Sequence, residues 1–225
     1  RKVAGFFGKE VKLFDKKTKY ETYESNLDPM LRFMHENELK PAGLIKIPAN
    51  KYTVTNEPEY KLTRCQIEVN VKNYKHVEPV NEAKQIPVIF ASFDIECTSG
   101  TGDFPQADNE ADKIIQIVTT YYRYGEEEPF YIHAAVLDTC TTPPGVDLKV
   151  CEHEYQVLEE WTKSIQEVDP DVLVGYNIDG FDLGYMWDRA KSPFTIHKNN
   201  KVVQESCINT FRWLGRLKAK PSKLE

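Results

Sequence analysis

The sequence lacks an apolar run long enough to cross a bilayer. Near its most informative motif, the apolar stretch over residues 86–93 is already broken by Pro87 and Ser92, whereas a membrane-spanning helix needs about 20 apolar residues. Because the chain opens on Arg1 and Lys2 without Met, we expect a fragment or processed piece, and we expect no secretory signal. We also expect an intracellular protein with no membrane partner.

The cysteines are too few and too scattered for a disulfide framework. They stand at positions 65, 97, 140, 151 and 207, an odd number with no Cys-x-x-Cys pair, so we expect reduced thiols and no zinc site. A phosphate-binding loop is absent too, since the glycines of residues 98–103 are not followed by Gly-Lys-Ser/Thr. We expect a mobile loop there instead.

Positive charge is scarce overall but concentrated at both ends. The formal net charge is −6, yet residues 1–20 carry seven Lys/Arg against two acids, and residues 191–225 carry eight against two. Residues 126–188 carry fifteen acids against two bases. An acidic centre between basic ends suits a metal-dependent nuclease, because carboxylates attract metal ions and lysines contact phosphates. Solvated charged surface is the simpler interpretation and stays open.

A change of character near residue 87 predicts two domains. Before it lie short alternating strands at 52–55 and 65–71, and a short helix with Pro29 in its first turn. After it, three apolar strands are followed by helix, strand and helix, at 88–95, 114–122, 130–137, 152–168, 172–176 and 180–190. This order predicts an α/β fold with a mixed sheet and flanking helices, preceded by a smaller β-rich α+β domain.

Two carboxylates stand at the end of the first apolar strand. Asp94 and Glu96 are two residues apart, so on a strand both project from one face while Ile95 points away. An isolated Asp-x-Glu is often only a solvated loop entrance. Here the preceding run is strongly apolar, and clustered acids are costly unless a cation neutralises them.

A third carboxylate, Asp182, begins the last predicted helix. With Asp179 as the N-cap it falls at the third helical position, where an acid is favoured electrostatically without any catalytic role. Alternatively, it joins Asp94 and Glu96. Three acids meeting at a strand end and a helix start can hold two hard divalent cations, and such sites cleave phosphodiester bonds.

Four further residues near Asp182 are candidates for contact with DNA. Phe181 is either a core anchor or a platform for a base, and Asn177 either caps the turn or orients a ligand. Tyr185 and Arg189 lie on or near the same helix side as Asp182, away from a core stripe, and predict site chemistry.

Both acidic motifs resemble the exonuclease motifs of family B DNA polymerases. Residues 92–96 resemble the first motif and residues 176–183 closely resemble the second. Flanking segments resemble the subgroup of polymerase delta and its relatives in large eukaryotic DNA viruses: residues 23–26, 31–34, 47–52, 104–105, 115–117 and 169–172. Leu44 departs from the pattern, where many relatives have Trp; this affects packing and not chemistry.

The resemblance implies a domain plan and an activity. Residues 1–86 would be part of the N-terminal domain, and residues 87–225 a C-terminally truncated, ribonuclease H-like 3′–5′ exonuclease domain that proofreads. Asp94, Glu96 and Asp182 would be the catalytic and metal-binding residues for two Mg²⁺ ions, with Mn²⁺ as the alternative. The family's third exonuclease motif, Tyr-x-x-x-Asp, and the polymerase palm are not found, so we expect these residues alone to be weakly active or inactive and unable to polymerise DNA.

The implied partners are primer–template DNA, the single-stranded primer 3′ end, the remaining domains of the same polymerase and a sliding clamp. The implied location is the nucleus or a cytoplasmic viral factory. Two alternatives stay open. A stand-alone DEDD-type 3′–5′ exonuclease would share the carboxylates, and an incomplete site could serve a non-catalytic DNA-binding or scaffold module.

Overall fold

The chain forms two units according to its backbone contacts. A computed structural model describes residues 8–13, 15–82, 84–198, 201–222 and 224. The first unit comprises Arg1–Thr55 and Val69–Lys84, and the second comprises Asn56–Glu68 and Gln85–Glu225. Residues 56–68 thus group with the second unit, although the sequence boundary at residue 86 leaves them in the first. The assignment of residues 1–86 to an N-terminal polymerase domain stays a prediction.

The first unit is built from short two-stranded pairs and one helix. Its elements are β1 (Glu10–Leu13), β2 (Lys16–Lys19), α1 (Pro29–Glu36), β3 (Ile45–Lys46), β4 (Tyr52–Val54), β5 (Val69–Val71) and β6 (Glu78–Pro79). The pairs β1–β2, β3–β6 and β4–β5 are all antiparallel. Asp28 caps α1 by accepting a hydrogen bond from the Met30 amide at 2.8 Å, and Pro29 fits the first turn, where an amide hydrogen has no helical partner. The predicted helix start is confirmed.

A five-stranded mixed sheet is the centre of the second unit. Its strands are β7 (Ile89–Cys97), β8 (Ile114–Arg123), β9 (Tyr131–Leu137), β10 (Asp147–Cys151) and β11 (Val172–Val174). Their spatial order is β10-β9-β8-β7-β11. The β7–β8 and β8–β9 pairs are antiparallel, whereas β9–β10 and β7–β11 are parallel. The predicted meander of three strands and the mixed direction of the sheet are confirmed.

Two helices pack against this sheet. Helix α2 spans Glu154–Val168 and α3 spans Asp182–Lys191. The apolar stripe of α2 is buried through Leu158, Trp161 and Ile165, as its 3–4 residue spacing predicts. The ring of Trp161 lies 5.2 Å from that of Phe93 on β7. This contact places the core on one face of β7 and leaves its other face for polar residues.

Several elements were missed or misjudged from the sequence. Strand β10, the hairpin β12 (Phe194–Lys198) with β13 (Lys201–Glu205), and α4 (Ile208–Phe211) were not predicted. The strand expected over 65–71 is limited to β5. No helix in the described part of the chain combines the length and apolar character needed to span a membrane.

Candidate exonuclease site

The end of β7 presents its two carboxylates on one face. Phe93 and Ile95 are buried, whereas Asp94 and Glu96 between and beyond them are exposed. The sequence-based prediction that both acids share a face is therefore realised in the strand. Pairing with β8 shifts register just after Glu96, and such irregularities re-aim a strand at its end. The two acids stand where the regular sheet stops.

Asp182 reaches the same strand from α3. Its Oδ1 accepts a hydrogen bond from the amide of Ile95 at 3.3 Å, and the residue is only 3 % exposed. The bonded amide belongs to the residue between Asp94 and Glu96, so Asp182 is attached to the same strand end that carries the other two carboxylates. The prediction of Asp179 as N-cap is wrong. The helix begins at Asp182 itself, and Phe181 occupies the cap position without a side-chain hydrogen bond.

The electrostatics of this cluster favour a cation. Burial raises the pKa of Asp182, and the negative charge of Asp94 raises it further, while the Ile95 amide lowers it. A buried carboxylate beside a like charge is a costly arrangement that a divalent cation would relieve. The donor set, carboxylate oxygen only, suits hard ions such as Mg²⁺. Across the residues that the structure describes, no group of three His, Cys, Asp or Glu is already arranged as a metal site.

The turn before α3 is tight and depends on a left-handed residue. Asn177 has φ +54, a conformation that Asn tolerates better than most residues. Its carbonyl accepts hydrogen bonds from the amides of Gly180 and Phe181 at 2.9 and 3.0 Å. The Asn177 side chain is exposed. Its structural role is thus to shape the turn, and its contact with DNA stays a prediction.

Phe104 and Phe181, the residue before Asp182, form an aromatic pair that is called the aromatic platform below. The ring of Phe181 packs edge-on against that of Phe104, with centroids 4.9 Å apart. Phe104 is 67 % exposed, so its ring is open to a ligand from solvent. Sequence reasoning had singled out Phe181 but assigned no role to Phe104. Its only signal there was that residues 104–105 belong to the segments that resemble polymerase delta and its relatives.

Tyr185 and Arg189 are corrected from DNA contacts to structural residues. Both are about 5 % exposed or less. The Tyr185 hydroxyl donates to the carbonyl of Asp112 at 2.8 Å, and Arg189 forms a buried ion pair with Glu154. Burial lowers the pKa of Arg189, but the hydrogen bond and charge of Glu154 outweigh it and raise the pKa overall. Their polar groups are satisfied inside the fold, away from solvent.

The loop between β7 and β8 is held in place by hydrogen bonds. The mobile loop expected over 98–103 instead has Thr98 bonded through its amide to the carbonyl of Lys113 at 2.8 Å. Asp112, which is 1 % exposed, accepts the amides of Gly100 and Gln106 at 2.6 and 2.8 Å. These two amide bonds lower the pKa of Asp112. No spacing in the sequence had pointed to this carboxylate.

Comparison with known proteins identifies the class and then the family. The mixed sheet, with its acidic strand end and a helix-borne acid beside it, has a ribonuclease H-like arrangement. The model of the DNA polymerase family B exonuclease domain matches residues 20–220. The chain therefore belongs to DNA polymerase family B, within its exonuclease domain, as the resemblance of its motifs implied. Exonuclease domains of this family are metal-dependent.

The chain is similar in sequence to DNA polymerases of eukaryotes and of a large virus. The chain is 42 % identical over 199 residues to the DNA polymerase delta catalytic subunit of Caenorhabditis elegans, covering 84 % of this chain and 18 % of the relative. It is 37 % identical over 175 residues to that of Schizosaccharomyces pombe, covering 76 % and 16 %. It is 39 % identical over 178 residues to the DNA polymerase of Acanthamoeba polyphaga mimivirus, covering 79 % and 10 %. The chain thus spans less than one fifth of the length of these relatives.

A solved structure confirms the fold class. The family B DNA polymerase from the archaeon Pyrobaculum calidifontis aligns with a TM-score of 0.50 and 21 % identity, covering 75 % of this chain and 18 % of that one. At this identity the likeness speaks for the fold alone.

Proposed function

We propose that this region is the proofreading 3′–5′ exonuclease of a replicative DNA polymerase and hydrolyses mispaired primer 3′ ends. One observation carries the proposal: Asp94 and Glu96 share the open face of β7, and Asp182 is bonded to the amide between them. The match of residues 20–220 to the family's exonuclease domain supports it. A stand-alone exonuclease would not account for the similarity that extends before residue 87.

The chain's own residues would prepare the scissile bond. Asp94, Glu96 and Asp182 would hold two Mg²⁺ ions, with Mn²⁺ as a substitute. When bound, the ions supply an activated water and stabilise the leaving 3′ oxygen. Asp182 is fixed by the Ile95 amide and by its place at the start of α3. The two exposed acids of β7 remain accessible from solvent, where a DNA end arrives.

The aromatic platform would receive the unpaired end of the primer. A frayed end is single-stranded, and a base stacked on an aromatic ring gains about 1–3 kcal/mol regardless of its identity. Phe104 and Phe181, the residue before Asp182, offer such a surface. Stacking without base reading is what proofreading requires, because any of the four bases can be misinserted. Primer–template DNA, further domains of the same chain and a sliding clamp are the proposed partners.

The test measures 3′ trimming of a labelled single-stranded oligonucleotide. It uses the full-length protein, because the Asp of the family's third exonuclease motif, Tyr-x-x-x-Asp, is not found in these residues and would be the fourth carboxylate of the site. We expect Asp94→Asn/Glu96→Gln to lower the Mg²⁺-dependent rate on the order of 10³-fold, since metal ions contribute several kcal/mol to the transition state. Asp179→Asn, an exposed acid on the neighbouring turn, is the matched control and should keep its rate. Undiminished trimming by the double variant would refute the assignment.

A further inference from the structure

Asp112 is the hub of the loop that carries Phe104. Its Oδ1 accepts the amide of Gly100 at 2.6 Å and the side-chain amide of Asn109 at 3.1 Å. Its Oδ2 accepts the amide of Gln106 at 2.8 Å. These donors lie on both sides of Phe104 in the sequence, so one carboxylate binds both arms of the loop: the arm before Phe104, through Gly100, and the arm after it, through Gln106 and Asn109. Charged acceptors form the stronger class of hydrogen bonds.

The same residue is tied to the helix that bears the other half of the platform. The backbone carbonyl of Asp112 accepts the hydroxyl of Tyr185 at 2.8 Å. The Tyr185 ring lies 5.2 Å from the ring of Phe181, and Phe181 in turn contacts Phe104. Asp112 therefore connects to Phe104 through the loop and to Phe181 through Tyr185.

We propose that Asp112 is a positioning residue for the substrate: it holds Phe104 against Phe181, so that the platform exists before DNA arrives. The inference rests on the proposed exonuclease function. The hydrogen bonds that the Asp112 side chain accepts come from the loop itself, from Gly100, Gln106 and Asn109. Its effect passes through the loop, which keeps the 67 % exposed ring of Phe104 in one orientation. DNA binding then does not carry the entropic cost of ordering a free loop.

The contacts also explain why an amide cannot replace this carboxylate. The Asp112 carboxylate is the acceptor in all three of its side-chain hydrogen bonds. In Asp112→Asn, the new NH₂ group must face either the Gly100 or the Gln106 amide, whichever way the side chain is turned. One arm of the loop is released while volume and shape are kept. Phe104 then loses its fixed place, although the carboxylates of β7 are undisturbed.

The test is a double-mutant cycle in the full-length protein, with KM and kcat measured on a single-stranded oligonucleotide. We expect Asp112→Asn to raise KM roughly tenfold with kcat nearly unchanged, because the lost interaction contributes equally to binding of the substrate and of the transition state. We expect Phe104→Leu to do the same, because one stacking contact with a base is lost. If Asp112 acts through Phe104, the combined variant is no worse than either single one. Asp108→Asn, exposed on the same loop, should leave KM unchanged.

Each outcome decides the matter. An additive cycle, near a hundredfold in KM, or an unchanged KM in Asp112→Asn overturns the inference alone, provided that Asp94→Asn/Glu96→Gln abolishes trimming. If that carboxylate variant still trims, the inference and the proposed function fall together. Should Asp112→Asn not fold, Gly100→Ala takes its place: its Cβ would stand 2.6 Å from that of Ala111 and 3.3 Å from Asp112 Oδ1, and the same non-additivity with Phe104→Leu is required.

Discussion

The guanidinium of Arg189 is paired with the carboxylate of Glu154 in the interior of the second unit. The Nε–Oε1 distance is 2.8 Å, a second contact joins Nη2 to Oε2, and both side chains are about 5 % exposed or less. Arg189 also donates to the carbonyls of Ala107 and Asn109 at 3.1 and 3.0 Å, and Glu154 accepts the Ile114 amide at 2.9 Å. One ion pair thus joins α3 and α2 to the second half of the β7–β8 loop and to the start of β8.

Breaking this pair should strongly destabilise the protein. Arg189→Met leaves the Glu154 carboxylate buried without its counter-ion, and we expect the free energy of unfolding in urea to fall by about 3–5 kcal/mol. Arg189→Met/Glu154→Leu should recover part of the loss, because no charge is then left unpaired. The control is Lys191→Met, which breaks the exposed Lys191–Asp188 pair and should cost less than about 1 kcal/mol. Unchanged stability with weaker DNA binding would restore Arg189 as a DNA contact.

Two glycines near the site should respond to alanine in opposite directions. A Cβ at Gly175 would lie 2.6 Å from the carbonyl oxygen of Phe93 and 2.3 Å from Ile178 Cγ2. The carbonyl is part of β7 and cannot yield, so we expect Gly175→Ala to cost about 1–3 kcal/mol. Gly184 lies within α3 and its Cβ would meet nothing within 4 Å, so Gly184→Ala should stabilise by about 0.5 kcal/mol.

Urea titrations of both alanine variants measure these differences. Equal effects of the two substitutions would contradict the close approach of Gly175 to β7. Because Gly175 immediately follows β11 and precedes the turn to α3, Gly175→Ala should also slow 3′ trimming by displacing Asp182, whereas Gly184→Ala should not.

Acid should weaken the fold through His133. This residue is 1 % exposed, its Nδ1 is buried without a hydrogen-bond partner among the described residues, and burial lowers its pKa to about 4 against a partial opposing effect of Asp147. The pKa of this histidine in the unfolded chain is about 6.5. Between pH 6.5 and pH 4, the unfolded chain therefore binds a proton at His133 that the folded protein does not. Stability is therefore retained above about pH 6.5 and lost as the pH falls toward 4, by about 3 kcal/mol in all.

His133→Gln removes the titrating group and should flatten this part of the pH profile of unfolding free energy. His35→Gln, an exposed histidine replaced in the same way, serves as the control. A profile that keeps its full slope in His133→Gln would show that the acid sensitivity arises elsewhere.

Divalent ions should stabilise the folded protein only when the carboxylates are intact. A ligand that binds the native state at about ten times its Kd raises stability by roughly 1.4 kcal/mol, or about 3 °C in Tm for a chain of this size. We expect this rise with Mg²⁺ and its reversal by a chelator. Asp94→Asn/Glu96→Gln should show no rise, and its Tm without metal should equal or exceed that of the unchanged protein, because repulsion with Asp182 is gone. A full Mg²⁺ response in that variant would place the ion elsewhere.

The parts of the fold that follow a strict period could be predicted from the sequence. Alternation over β7 placed Asp94 and Glu96 on one face, and the stripe on α2 placed Trp161 in the core. In both elements one face packs on the core and the other meets solvent, and such a division appears directly as a period of apolar residues in the sequence. Asp182 was a candidate from its place at a predicted helix start, but its burial against β7 depends on a contact that no local period encodes.

The errors arose where a helix is covered on more than one side. Tyr185 and Arg189 lie off the apolar stripe of α3, and so they were expected to face the site, but the loop between β7 and β8 covers that side too. Polarity at one helix face indicates solvent only if nothing packs there. The buried contacts of Glu154 and Asp112 could not be predicted from local pattern, because their partners are 35 and 12 residues away.

The hydrogen bond from Ile95 to Asp182 spans 87 residues of sequence. Contacts of such separation form late, because the chain must first lose the entropy of the intervening loop. A growing or partly folded chain with only the β7–β8–β9 meander would display Asp94 and Glu96 but lack the third acid. Asp182 therefore takes its place against β7 only when the 87 residues between it and Ile95 have brought α3 back to this strand.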